Sequence, residues 1–481
     1  MINYRPIVSS IGLLLAVLSA AMILPALVDL ADGNGDWRAF FTAAIFTFFV
    51  GGLLVLMTYD DRPVTLSIKD AFLLTTMSWI VLCAFGAIPF IGLGLSYTDA
   101  FFETMSGLTT TGSTVLTKLD SLPRGVLLWR ALLNGMGGIG IIVVALLILP
   151  FLRVGGMQLF HAESSDRSEK IVPRALELVM ATAGVYLALI VICAAVYGLL
   201  GMSIFDAICH SLATVATGGF STHDESFMFF RSPSIEWSAT LFMALGAMPF
   251  LVLFQAIRGQ PTVMWRDEQI RGFVGFLAVV TMILALWYSV THGVHIADAI
   301  RLSAFNVTSI VTTTGFMSSD YNAWGPFAVG LFLLLTFVGG CSGSTAGGIK
   351  IYRLQVAGLL TRRHLTNLVT PSRVVNLSYN GRRLPEDLPF SVVAFLAIYL
   401  ATVGIFTVLL SGMGLELTTA LSAAAQAVGN VGPGLGEIVG PIGNYATLPA
   451  PAKWVLAFAM LLGRLELFTV LVLFRPEFWR S

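Results

Sequence analysis

The sequence predicts an all-α polytopic membrane protein with ten transmembrane helices. Three observations predict it. Only 11% of the 481 residues are charged while 56% are hydrophobic, with a mean hydropathy of +0.85; soluble domains carry about 25% charge. Apolar runs of about 20 residues recur from end to end, each long enough to cross about 30 Å of hydrocarbon as a helix. The runs are continuous rather than alternating, which excludes a β-barrel. The formal net charge is zero and gives no sign of a nucleic-acid partner.

The expected spans lie at roughly 7–30, 38–58, 71–93, 126–152, 175–200, 235–257, 272–291, 324–349, 388–411 and 452–474. The first apolar run, Ile7 to Val28, is too long for a signal-peptide core and reads as an uncleaved span. With the N-terminus placed in the cytoplasm, 19 of the 27 Lys and Arg residues fall on that side. Seven (Arg38, Lys118, Arg124, Arg130, Arg231, Arg301 and Lys453) fall outside, and Arg464 lies within a span. The bias predicts both termini inside.

Four long gaps then face outward, at about 94–125, 201–234, 292–323 and 412–451. Each holds an apolar stretch of 10 to 17 residues, too short to cross at 1.5 Å per residue. Such a helix can enter and turn back only where protein or water surrounds its exposed backbone. Each ends in a Thr/Gly cluster: YTDAFFETMSGLTTTGS (97–113), IFDAICHSLATVATGGF (204–220), IADAIRLSAFNVTSIVTTTGF (296–316) and LTTALSAAAQAVGNVGP (417–433). Aligned on Gly112, Gly218, Gly315 and Gly432, they reveal a span–loop–span unit written four times. The expected divisions are 1–66 for two extra spans, then 67–155, 156–260, 261–384 and 385–481 for the repeats.

Four converging loops suit a dehydrated cation. A potassium ion must exchange its water shell for other oxygens, and a ring of backbone carbonyls supplies them. Gly tolerates the backbone angles this needs, and Thr adds hydroxyls. The candidate filter residues are Thr110, Thr111 and Gly112; Ala216, Thr217 and Gly218; Thr313, Thr314 and Gly315; and Asn430, Val431 and Gly432. The C-termini of the short helices would add partial negative charge. Asp99, Asp206 and Asp298 are the expected N-caps, with Thr418 or Thr419 in the fourth helix.

This pattern resembles the Trk/Ktr/HKT superfamily of potassium transporters over essentially the whole chain. The two extra N-terminal spans, FVGGCSGSTAGGIK (337–350) and LLGRLELFTVLVLFRPEFW (461–479) are similar to its TrkH/TrkG branch. The resemblance implies potassium uptake across the bacterial inner membrane, with K+ bound just before each filter Gly. It also implies a homodimer with one pore per chain. A cytosolic TrkA-type ring would carry any NAD(H), ATP or ADP. Ala346 stands where the family often has Gly. All four filter positions are Gly, whereas some sodium-selective plant relatives have Ser at the first.

The span expected at 324–349 contains Gly339, Gly340, Cys341, Ser342, Gly343, Ser344, Thr345, Ala346, Gly347 and Gly348, and the stretch closes on Lys350. Five glycines in ten residues are costly for a helix, at about 1 kcal/mol each relative to Ala. The expectation is a movable loop obstructing the cavity below the filter, against the simpler alternative of a static kink. Arg464, costing about 2.5–3.5 kcal/mol at a helix centre, is expected beneath the filter as barrier or loop anchor. A structural pair with a carboxylate is the alternative, for which Glu466 is poorly spaced.

The basic segment 350–387 carries Arg362, Arg363, Arg373, Arg382 and Arg383, suited to anionic lipid or a cytosolic partner. Cys83, Cys193, Cys209 and Cys341 read as packing residues. The six histidines lack metal-ligand spacing, and no nucleophile–base constellation supports an intramembrane enzyme. A sodium- or proton-coupled symporter remains an alternative. The spans hold few carboxylates for an ion relay, and the repeat is fourfold rather than two inverted halves.

Overall fold

A computed structural model describes residues 2–59, 67–147, 171–373, 375–385 and 388–480. Arg62, Arg153, Arg167, Lys170, the end of the span expected at 126–152 and the divisions at residues 66 and 155 lie outside them. Among the described residues, seven helices are long and apolar enough to cross a membrane: Tyr4–Ala31, Trp37–Met57, Ile68–Gly92, Arg124–Val144, Glu177–Leu199, Glu268–His292 and Leu388–Gly412. Two bent pairs bring the count to nine: Pro233–Gly246 with Phe250–Ile257 at 103°, and Ala450–Arg464 with Phe468–Phe474 at 106°.

The span expected at 324–349 is not a continuous helix. Only Pro326–Leu335 is helical, and the chain is irregular until Ile351–Val369. The glycine run leaves too little helix propensity, and its backbone groups find partners elsewhere in the protein. The second span of repeats two, three and four is therefore interrupted, and that of repeat one (Arg124–Leu147) is not.

The two N-terminal spans pack closely through glycine. A Cβ on Gly12 would lie 2.7 Å from the carbonyl oxygen of Gly51. Asp29 of the first span is fully buried and accepts from the Gly125 amide at 2.7 Å, satisfying a free donor at the start of repeat one's second span. Large apolar side chains on these and other spans, such as Phe48, Phe49, Val191 and Val408, remain exposed, which suits hydrocarbon.

Between the spans lie four short helices: Tyr97–Leu108, Ile204–Val215, Ile296–Val311 and Leu417–Gly429. They do not begin where the sequence suggested. Ser96, Ser203 and His295 are the N-caps, and Asp99, Asp206 and Asp298 sit three residues later. Ser96 and Ser203 each accept from that Asp amide and donate to its carboxylate. The carboxylates still complement the helix dipole from the first turn. The fourth helix starts after Glu416 with no side-chain cap, so Thr418 and Thr419 do not cap it.

Candidate functional site

Each short helix ends in the same backbone turn. Thr110, Thr217, Thr313 and Asn430 adopt left-handed φ values of 51°, 51°, 57° and 54°. The next amide bonds back to a carbonyl five residues earlier: Thr111 to Ser106, Gly218 to Ala213, Thr314 to Ser309 and Val431 to Gln426. A glycine with positive φ follows at Gly112, Gly219, Gly315 and Gly432, with φ of 88°, 75°, 83° and 106°.

These glycines close a ring. A Cβ on Gly112 would sit 2.7 Å from Gly218 O, and one on Gly432 would sit 2.5 Å from Thr111 O. A Cβ on Gly219 would strike Thr314 O, and one on Gly315 would strike Val431 O. Each repeat's glycine therefore packs on the carbonyl before the equivalent glycine of the next, from one to two, three, four and back to one. Only residues without a side chain permit that approach.

The ring corrects the register of the second loop. Gly219, not Gly218, is equivalent to Gly112, so Thr217, Gly218 and Gly219 match Thr110, Thr111 and Gly112, and Ala216 matches Thr109. Adjacent glycines concealed this, because either can adopt positive φ. One signal was available: Asp-to-Gly spacing is the same from Asp99 to Gly112 as from Asp206 to Gly219.

The side chains of these four turns are buried and partly interlocked. Thr111 Oγ1 lies 2.7 Å from Thr109 Oγ1, and Thr314 Oγ1 lies 2.8 Å from Thr312 Oγ1. Asn430 Nδ2 donates to Thr111 Oγ1 at 3.0 Å and to Met460 O at 2.9 Å. The four helix C-termini abut the ring, so their dipoles place negative potential there. Among the described residues, no three His, Cys, Asp or Glu side chains gather as a metal site. Any cation at the ring would meet carbonyl and hydroxyl oxygens.

The Gly-rich loop lies against the ring. Gly347 N donates to Thr313 Oγ1 at 2.7 Å, and Thr345 Oγ1 lies 3.2 Å from Thr217 Oγ1. A Cβ on Gly347 would strike Gly429 O. The loop is seated in the break of the second repeat's bent span. Cys341 N donates to Ala247 O at 2.9 Å, and Phe250 N donates to Gly343 O at 3.0 Å. Gln269 Oε1 accepts from Ser342 N, and Ser344 Oγ donates to Cys341 O. Gly339 N and Ile351 N close the loop's base on Ile349 O and Gly340 O. Gly340 and Ala346 pack together in the same seat, and Gly348 turns at φ 64°.

Arg464 is the last residue of Ala450–Arg464, at the bend rather than mid-helix, and is 3% exposed. Its Nη1 donates to Thr345 O at 2.7 Å and its Nη2 to Gly137 O at 3.0 Å. It has no carboxylate partner among the described residues. Glu466 pairs instead with Arg353 at 2.5 Å. Lys350 Nζ donates to Ala346 O from the other side of the loop. A cavity of only about 30 Å³, room for a water or two, remains here, lined in part by Ala346, Lys350, Tyr399, Arg464 and Glu466.

Sequence reading missed residues that brace the ring from behind: Glu103, Arg130, Asn134, Gly137, Gln426 and Tyr445. Gln426 Oε1 accepts from Gly432 N, and Tyr445 OH donates to Gly432 O at 2.9 Å. Arg130 and Glu103 carried one signal, as charged residues inside otherwise apolar segments.

Fold and ring together define a class: a helical membrane protein whose single chain folds four loops around one carbonyl-lined ring. The family model TrkH, a cation transport protein, matches residues 37–481, and the chain belongs to that family. It is 44% identical over 483 residues to the Trk system potassium uptake protein TrkI of Halomonas elongata, covering 100% of this chain and 98% of the relative. It is 38% identical over 489 residues to TrkH of Escherichia coli K12, covering 100% of both. The crystal structure of the potassium transporter TrkH from Vibrio parahaemolyticus matches with a TM-score of 0.91, at 36% identity over 100% of both chains.

Proposed function

We propose that this chain carries potassium ions into a bacterial cell across the inner membrane, with both termini cytoplasmic. The carrying observation is the ring formed by Gly112, Gly219, Gly315 and Gly432 on Gly218 O, Thr314 O, Val431 O and Thr111 O. Backbone carbonyls held by rigid packing replace the hydration shell of a monovalent cation. The relatives named as potassium uptake proteins support K+ as the substrate.

In this reading the loop from Gly339 to Gly348 is the gate, and the contacts of Thr345 and Gly347 hold it shut against the ring. Arg464 and Lys350 anchor it through Thr345 O and Ala346 O. A cytosolic nucleotide-binding ring of the TrkA type would open it, docking on the exposed basic face of Ile351–Val369, which carries Arg362 and Arg363. Two copies of the chain would form a homodimer in lipid, each with its own path.

The test is growth of a potassium-uptake-deficient bacterium on low potassium. The chain, with its partner ring supplied, is expected to restore growth, and proteoliposomes are expected to take up rubidium. Absence of both, with protein present in the membrane, ends this reading. Uptake that requires a sodium or proton gradient would assign a symporter instead.

A further inference from the structure

The first and second loops are bracketed by a buried ion pair. Glu103, on the first short helix, is 0% exposed and accepts from Val115 N at 2.9 Å and Thr114 Oγ1 at 2.9 Å. Its other partner is Arg130 Nε at 2.8 Å. Arg130 then reaches the next repeat, donating through Nη1 to Ser221 O at 2.7 Å, and its guanidinium lies 4.2 Å over the Phe220 ring. Asn134, one turn further along the same helix face, donates to Gly107 O at 2.8 Å and accepts from Phe220 N at 3.2 Å.

These contacts grip backbone on both sides of one quarter of the ring. Thr114 and Val115 lie just past Gly112, and Phe220 and Ser221 lie just past Gly219. Elsewhere between repeats, Glu236 with Arg301 and Lys453 with Asp99 tie helix to helix, and Arg353 with Glu466 ties a helix to the bend of the fourth repeat. The loops of repeats four and one meet through neutral bonds, such as Ser113 Oγ to Gly432 O at 2.9 Å. Further along the same two loops His223 pairs with Asp120; of these ion pairs among the described residues, Glu103–Arg130 is the one that bonds the backbone next to the ring glycines.

We propose that Glu103 and Arg130 are positioning residues for ion selectivity: together they set the spacing of the Thr111 and Gly218 carbonyls. Their charges compensate each other, so the pair contributes little net field at the ring. What it contributes is rigidity, because a planar guanidinium fixes a carboxylate, a carbonyl and an aromatic face at once. A ring free to shrink would accept the smaller sodium ion. This inference rests on the potassium reading above.

The experiment measures rubidium uptake and sodium competition in proteoliposomes for wild type, Arg130→Lys, Phe220→Leu and the neutral double variant Glu103→Gln/Arg130→Gln. Arg130→Lys keeps the charge and the pairing with Glu103 but cannot also span Ser221 O and the Phe220 ring. Phe220→Leu keeps both charges and removes only the stacking surface, so folding is expected to survive. Rubidium uptake should persist while the rubidium-over-sodium ratio falls about tenfold in Arg130→Lys. It should fall in the same direction, by less, in Phe220→Leu. Folded variants with a wild-type ratio would overturn the proposal, even if their thermal stability drops, since that marks a merely structural pair. A wild-type protein that carries no rubidium even with its partner ring supplied would remove the potassium reading itself, and this inference with it.

Discussion

Arg464 Nη1 donates to the carbonyl oxygen of Thr345 at 2.7 Å, joining the bend of the fourth repeat to the loop of the third. The same guanidinium reaches Gly137 O of the first repeat, and Thr345 Oγ1 lies 3.0 Å from both Val215 O and Gly246 O of the second. All four repeats thus converge on two residues beneath the ring. With no carboxylate partner among the described residues, the buried guanidinium is met by carbonyls, one from the irregular loop and one from the first repeat's second span.

Arg464→Ala is expected to raise rubidium flux through purified protein lacking any partner ring. Hydrogen bonds from a charged donor are worth about 1.5–3 kcal/mol each, so losing the one to Thr345 O shifts the loop equilibrium roughly ten- to hundredfold toward release. Unchanged flux in a folded variant would remove Arg464 from the gate.

Gly347→Ala tests whether the loop must seat against the ring. The new Cβ would run into Gly429 O, a backbone atom that cannot move aside. The loop should be displaced and the flux raised without loss of selectivity. A silent variant would mean the seat is not the closed state.

The register of the second loop predicts an asymmetry between adjacent glycines. Gly219→Ala introduces a side chain at φ 75° and against Thr314 O, so it should abolish flux or selectivity. Gly218→Ala meets the Asn134 side chain rather than the carbonyl ring, and its φ is not left-handed. It should be the milder change, read by rubidium and sodium uptake side by side. The reverse order would restore the alignment on Gly218.

His223 and Asp120 predict a pH-dependent stability. His223 Nδ1 lies 2.5 Å from Asp120 Oδ1, tying the segments that follow the first and second loops, and Nε2 lies 3.5 Å from Asp206 Oδ1. Burial opposes the imidazolium, but hydrogen bonds and charge from Asp206 and Asp120 outweigh it and raise the His223 pKa above its ordinary 6.5, despite the His210 ring 6.4 Å away. Burial likewise opposes the Asp120 carboxylate, and the His223 hydrogen bond outweighs it, holding Asp120 below 3.8. The histidine's stabilisation is complete below 6.5 and lost as pH rises through its raised value; the aspartate's is complete above 3.8 and lost as pH falls through its lowered one. The Tm gap between wild type and His223→Gln should therefore be widest between pH 3.8 and 6.5 and narrow as pH rises through the raised His223 value. A gap flat across that range would remove the pair.

Gly137→Ala should destabilise the fold by about 1–3 kcal/mol, because a Cβ there would strike Leu108 O at the end of the first short helix. A thermal melt in detergent measures it. Wild-type stability would show that this helix can shift away from the span.

Much of the architecture was legible because it is written in apolar length and repetition. The four short helices were recognisable as too short to cross, and Thr110, Thr313 and Asn430 could be placed by their distance from a single glycine. The second loop was misaligned because Gly218 and Gly219 are chemically identical, and only backbone hydrogen bonds distinguish them. The Asp residues were misplaced at the caps because a first-turn carboxylate and a capping one suit the same dipole, while Ser96 and Ser203 looked like ordinary loop residues.

The sequence by itself determined that the chain lives in a membrane, that it repeats a helix–loop–helix unit four times, and that residues 339–348 cannot be a straight helix. Those follow from hydrophobic length and local propensity, which need no distant contact. Tertiary structure alone decided that Arg464 bonds Thr345 O and Gly137 O rather than Glu466, and that Glu103 and Arg130 brace two loops. It also decided which glycine of the pair joins the ring. Each of these depends on buried polar groups finding partners tens or hundreds of residues away, and a buried donor takes whatever acceptor the packing brings within reach.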